Sequence, residues 1–215
     1  MTLEYDHPDW RGETVFILGG GPSLRGFDAE RLRGRRVIAV NEAGLSMCPW
    51  ADIMFWADLR FAYWNLDRIV HENQSEYRYT CQKYAIEDIP RARYIQWQAC
   101  RPGQPGACFS ADPEMISGFD GGSRCINLAY HTGARYVVLL GFDMHDYPRE
   151  IWQAGNWHTA HKEPPLPNQR TQKFIPAHNR MAAEIARLML PFEVINATAG
   201  SALKCWTPGK LEDWL

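Results

Sequence analysis

Val15-Phe16-Ile17-Leu18-Gly19-Gly20-Gly21-Pro22-Ser23 joins an unbroken apolar run to three glycines and a proline. An apolar run without polar alternation is the pattern of a strand buried on both faces, as in a parallel sheet. The glycines let the backbone turn tightly and approach a ligand closely. If a helix follows, its first amides and the positive end of its dipole favour an anion. Ser23 adds a hydroxyl donor. The turn lacks the Gly-Lys-Ser/Thr of a P-loop and the third glycine of the dinucleotide fingerprint. A plain strand-to-helix turn is the competing reading.

Working outward, the same pattern repeats. Val37 to Val40 reads as a second buried strand closed by Asn41, and Ala51 to Ala57 as a third closed by Asp58. Leu59 to Val70 has apolar residues at helical spacing. Arg78 to Tyr84 and Tyr94 to Trp97 read as short strands, Ser123 to Gly133 as a helix, and Tyr136 to Leu140 as a strand closed by Gly141-Phe142-Asp143. Ala177 to Leu190 is an amphipathic helix, Phe192 to Ile195 a last strand ending at Asn196, and Leu211 to Leu215 a short terminal helix. Phe27 to Leu32 suggests one or two helical turns. Cys100 to Pro113 is rich in Gly and Pro and reads as a loop. Strands alternating with helices predict an α/β fold: a mostly parallel sheet with helices on both faces.

The 215 residues suit one domain, residues 1–215. Residues 147–176 hold prolines and aromatics without periodicity, and a loop of that length is expected to be a lid. The net charge of −2 argues against a general grip on nucleic acid or an anionic membrane. No run is long and apolar enough to span a bilayer, and the first residues carry acids in place of a signal peptide's apolar core. The expected location is cytoplasmic. The six cysteines include no C-x-x-C pair and are expected to be reduced.

Ligands of parallel sheets sit beyond the carboxyl ends of the strands. The candidate binding residues are therefore Gly19, Gly20, Gly21, Pro22, Ser23, Asn41, Asp58 and Asp143. Gly122 and Ser123 open the helix after Asp120, with Ser123 as the expected N-cap. His178 starts the amphipathic helix and is a candidate general base; a helix residue without chemistry is the alternative. Asp143, His145 and Asp146, with His158 and His161, hold metal-ligating side chains, but no common helix aligns them and no metal site is assigned. Trp56 and Trp64 are expected in the core, and Trp152 and Trp157 against ligand.

Three blocks carry a family resemblance. They are Val15 to Leu24, then Gly121-Gly122-Ser123 with Gly133 to Asp143, and Ile195-Asn196-Ala197-Thr198-Ala199-Gly200-Ser201-Ala202-Leu203. The first resembles the opening of bacterial sialyltransferases that use a CMP-sugar. It equally resembles the wider group of motility accessory factor-like and hydroxymethyl-dihydropterin pyrophosphokinase-like proteins, which has short phage members. The resemblance implies a Rossmann-like fold in which the glycine turn, Asn41 and the Ser123 turn surround a donor nucleotide. His178 stands where the sialyltransferases place their base. His145 replaces their tyrosine and becomes a second catalytic candidate. Asp120 replaces their sialic-acid-binding arginine, which speaks against sialic acid. The expected function is a transferase, foremost a glycosyltransferase, using a nucleotide-sugar donor and a small acceptor. The alternatives are pyrophosphoryl transfer from ATP, with a divalent ion on Asp58 and Asp143, and a nucleotide-binding phage accessory protein without turnover.

Overall fold

Strand β1 (Thr14–Leu18) is apolar from Val15 onward because both its faces and both its edges are covered. The computed structural model of the protein describes residues 7–83, 87, 89–101, 103, 104, 106–160 and 166–215. In chain order, the elements after β1 are β2 (Arg36–Val40), β3 (Ile53–Trp56), α1 (Leu59–His71), β4 (Tyr77–Thr80), β5 (Ala92–Tyr94), β6 (Gln96–Ala99) and β7 (Met115–Gly118). Then follow α2 (Gly121–His131), β8 (Tyr136–Leu140), α3 (Ile175–Arg187), β9 (Glu193–Asn196) and β10 (Thr207–Pro208). The main sheet has the order β10-β9-β8-β1-β2-β3-β4-β5, and every neighbouring pair is parallel.

Alternation along the strands splits the core in two. Val15, Ile17, Ile38 and Phe55 pack with Ile126 and Leu128 of α2 and Met181 and Ile185 of α3. On the other face, Phe16, Leu18, Val37 and Ala39 meet Leu24, Leu32 and Ala43. Met54 and Trp56 meet Ala62 and Ile69 of α1 on that side. Each buried Val, Leu, Ile, Phe or Met among them contributes about 1.5–3 kcal/mol relative to exposure.

Several expectations need correction. The segment after the glycine turn is no α-helix but two 3-10 turns, Pro22–Leu24 and Ala29–Leu32. Pro22 and Gly26 explain this, since a proline start and an early glycine leave too few residues to propagate a helix. The expected strand Tyr94 to Trp97 falls across two elements. The chain leaves the main sheet at buried Ile95 and pairs β6 with β7 in a separate parallel sheet. Tyr84, the end of another expected strand, lies outside the described residues. The terminal helix is a 3-10 turn, Leu211–Asp213. Trp56 is buried as expected, but Trp64 is 38% exposed.

The cysteines are not all reduced. Cys100 and Cys108 are disulfide-bonded, with their Cα atoms 4.3 Å apart. Compartment logic could not see that Gly103 and Gly106, both at positive φ, fold this loop back on itself. Cys48, Cys81, Cys125 and Cys205 are free. Titration of unreduced, denatured protein should therefore find those four thiols, rising to six after reduction. Six before reduction would remove the bridge. Among the described residues no helix is long and apolar enough to cross a membrane.

His131, in the last turn of α2, donates from Nε2 to the Met115 carbonyl at 2.9 Å. Burial, with His7 alongside, lowers its pKa from 6.5 to about 4. A ring held neutral in the fold takes its proton later than the unfolded chain does. Its contribution is therefore complete above pH 6.5 and is lost as pH falls toward about 4. That contribution is up to ~3 kcal/mol. Urea midpoints should fall across this window, and His131→Leu should flatten the fall. An equally steep fall in the variant would assign the effect elsewhere.

Candidate functional site

The chain runs from β1 outward through β2 to β5, then returns to place β8 on the other side of β1. This reversal is a topological switch point, where the loops after adjacent strands part and leave a crevice. The Gly19–Gly21 turn and the Gly141–Asp143 turn meet there. Gly19 N–H donates to the Leu140 carbonyl at 2.8 Å, and Gly21 N–H to the Gly141 carbonyl at 2.9 Å.

The three glycines have different reasons to be glycine. A Cβ at Gly19 would come within 2.8 Å of the Gly141 carbonyl oxygen, and one at Gly21 would overlap the Asp143 carboxylate. Both are spacers that let the two turns touch. A Cβ at Gly20 would meet nothing nearer than Asn156 Oδ1 at 3.7 Å. Among the described residues the Gly20 amide has no hydrogen-bond partner, so it is the amide of this turn left for a ligand. The missing helix removes the dipole expected behind the turn. Asp143 takes its place as organiser: it accepts from Ser23 N–H at 2.9 Å and Ser23 Oγ at 2.7 Å. Trp157 steadies the turn from outside, donating from its backbone to Gly20 and from its indole to Gly19.

A cavity of about 800 Å3 opens above these turns. Gly19, Gly20, Gly21, Asn41, Asp58, Gly122, Asp143 and His145 all line it, so the structure brings these separate sequence candidates to one place. Pro22, Ser23, Ser123 and His178 do not border it. Asn41 sits at φ 53°, just past β2, and its buried Oδ1 has no partner among the described residues. Asp58 caps α1 by accepting from Arg60 N–H at 2.9 Å and pairs with the Arg60 guanidinium at 3.0 Å. Trp152, Leu166 and Arg170 from the expected lid segment complete the wall. His161 lies outside the described residues. His158 accepts from Ala160 N–H, and Asp146 accepts from Arg170 and Thr171 amides. Among the described residues no three His, Cys, Asp or Glu side chains converge as a metal-binding group.

At the second turn, Asp120 is the N-cap of α2, where Ser123 was expected. Its carboxylate accepts from the Gly122 and Ser123 amides, while Ser123 Oγ reaches back to the Phe119 and Asp120 amides. A carboxylate cap beats a hydroxyl here because it also meets the positive end of the helix. The Gly122 and Ser123 amides are thus already engaged. Burial pushes the Asp120 pKa up, but the His178 ring and the Ser123 hydrogen bonds outweigh it and hold the acid below its ordinary value.

His178 is completely buried. Trp206 Nε1–H donates to its Nδ1 at 3.2 Å, and an indole N–H only donates. The proton of the neutral ring therefore sits on Nε2, which faces Asp120 Oδ2 at 3.2 Å without the alignment of a full hydrogen bond. His178 supports the cap from behind and has no accepting nitrogen free for a substrate. His145 is placed differently. It is exposed at the cavity wall, and its Nε2 donates to the Gly200 carbonyl at 2.9 Å. That contact fixes the tautomer and leaves Nδ1 as a proton acceptor. Gly200 comes from the loop after β9, so the sequence block Ile195 to Leu203 orients His145 across the sheet.

Arg60, Arg124 and Arg170 were not among the expected site residues, yet all line the cavity. None follows a strand directly, so the strand-end rule could not find them.

No family model and no curated protein matches the chain. Among solved structures it is similar to the MAf glycosyltransferase from Magnetospirillum magneticum AMB-1, with a TM-score of 0.60 and 15% identity over 94% of this chain and 34% of that one. An uncharacterized protein from Mycobacterium paratuberculosis aligns with a TM-score of 0.31 and 14% identity over 93% of this chain and 72% of that one. The chain spans about a third of the length of the glycosyltransferase it resembles. At that identity the likeness is one of architecture: the protein shares the α/β fold of part of a glycosyltransferase.

Proposed function

We propose that the protein is a transferase of glycosyltransferase type, which binds a nucleotide-activated donor in the cavity at the β1–β8 switch point. The observation that carries this reading is the convergence of Gly20, Asn41, Asp58 and His145 on one cavity of about 800 Å3. That size is in the range of small-ligand sites, which span about 300–1,000 Å3. The fold shared with a glycosyltransferase supports the transfer class. In this reading the Gly20 amide meets a donor phosphate and the Asn41 carboxamide orients the donor. His145 Nδ1 takes the proton from an acceptor hydroxyl as its oxygen bonds to the sugar's anomeric carbon, the bond from that carbon to the phosphate oxygen breaks, and the nucleotide leaves.

Pyrophosphoryl transfer from ATP would draw its metal ligands from Asp58 and Asp143. Both carboxylates are already engaged, Asp58 by Arg60 and Asp143 by Ser23. The transferase reading is therefore preferred. A thermal-shift panel of nucleotides and nucleotide sugars tests it. A ligand at about 100 times its Kd adds about 2.7 kcal/mol to stability. One or more nucleotide sugars should raise the melting temperature, and an acceptor screen with that donor should give turnover. Binding without turnover across the screen would favour an accessory protein, and no binding at all would sink both.

A further inference from the structure

Arg124 is a cation in the wrong place for a purely structural residue. It lies in the first turns of α2 and is only 8% exposed, yet it lines the cavity. Its guanidinium carbon stands 4.2 Å from the centroid of the Trp97 ring, and its neighbour on another side is the Cys81 thiol. Among the described residues no carboxylate pairs with it, and its buried Nε has no partner. The nearest helix-capping acid, Asp120, is consumed by Gly122, Ser123 and His178. Burying an unpaired charge is costly, so such a group persists where a ligand neutralises it. A ring under the flat face of a guanidinium leaves its edge clear, and the N–H groups not turned to Cys81 can donate to an oxyanion.

We propose that Arg124, seated on Trp97, binds an oxyanion of the ligand at a subsite of its own. This subsite is separate from the Gly20 turn. Gly20 and His145 follow β1 and β8, whereas Arg124 reaches toward Cys81, which follows β4, and Trp97, which lies in β6. The cavity thus crosses the ends of five neighbouring strands, from β8 to β4. At about 4.8 Å per strand pair, that is roughly 19 Å. The ligand is elongated and carries an acidic group, a phosphate or a carboxylate, at the end away from His145. The proposal rests on the cavity being the donor or acceptor site, and it names a ligand charge which that reading leaves open.

The test measures melting temperature against inorganic pyrophosphate and, separately, citrate. Wild type should be stabilised by at least one of them, and the one that acts tells phosphate from carboxylate. Arg124→Met keeps the stem and removes the charge. It should weaken that response by about 10- to 100-fold, the value of a charged hydrogen bond. Without ligand it should melt about 2–4 °C higher, because an unpaired buried charge has gone. Trp97→Ala, at a position 41% exposed, unseats the guanidinium without touching the core and should weaken the same response. Failure of both anions on wild type overturns the subsite, as does a wild-type response in Arg124→Met. An anion response and nucleotide-sugar binding both unchanged in Arg124→Met leave the transferase reading standing and remove the subsite. A pyrophosphate or citrate response lost in the variant, in a protein that binds no nucleotide, does the reverse.

Discussion

Replacing His145 with alanine is expected to lower turnover by about 10²- to 10⁴-fold, the usual loss on removing a general base. Donor affinity should change little, because His145 stands after β8 while the proposed phosphate contact is the Gly20 amide after β1. The prediction has a geometric basis. The Gly200 carbonyl at 2.9 Å holds the proton on Nε2, so Nδ1 is the accepting nitrogen, and it sits at the wall of the cavity. His178 is the informative control. It is buried between Trp206 and Asp120, so His178→Ala should act through folding. Loss of the Trp206 partner and a cavity in the core together cost about 2–4 kcal/mol. The molecules that remain folded should turn over normally. If His178→Ala is dead while folded and His145→Ala is fully active, the two roles are reversed.

The second large effect is at Gly20. Gly20→Val should abolish donor binding and leave the protein folded, since a Cβ there has only Asn156 Oδ1 at 3.7 Å for company. The added methyls point into the cavity where a phosphate must approach the free amide. Gly21→Val is the contrasting variant. Its Cβ overlaps the Asp143 carboxylate, so it should break the clasp on Ser23 and destabilise the whole turn. Calorimetry with the donor found in the nucleotide panel, together with urea melts, separates the two outcomes. Wild-type affinity in a folded Gly20→Val protein would show that the donor phosphate lies elsewhere.

The strands were legible because burial on both faces writes itself as an apolar run. Val15 to Leu18, Val37 to Val40 and Tyr136 to Leu140 all fall inside observed strands. The strand-end rule likewise found Asn41, Asp58 and Asp143, since in a parallel sheet all the carboxyl ends share one edge. What escaped was the partner of each polar group. Local sequence shows that Asp143 ends a strand, but not that Ser23, 120 residues earlier, consumes it. The same blindness made His178 a candidate base: its place at a helix start is visible, and its burial against Trp206 is not. Arg124 was invisible for the converse reason. It reads as an ordinary helical arginine, and only the fold shows that no carboxylate pairs with it among the described residues.

The distance in sequence between Ser23 and Asp143 also bears on how the molecule assembles. Strand β1 leaves the ribosome before β8, so one of its edges waits for its partner. Non-local pairing of this kind is slow, because a long loop must close before any contact repays its entropy. A nascent chain that has not yet reached Tyr136 carries β1 with one edge of unpaired N–H and C=O groups and a glycine turn without its Gly141 and Asp143 partners. The switch point is therefore assembled late. The region that forms the cavity is the one most in need of protection from aggregation during synthesis.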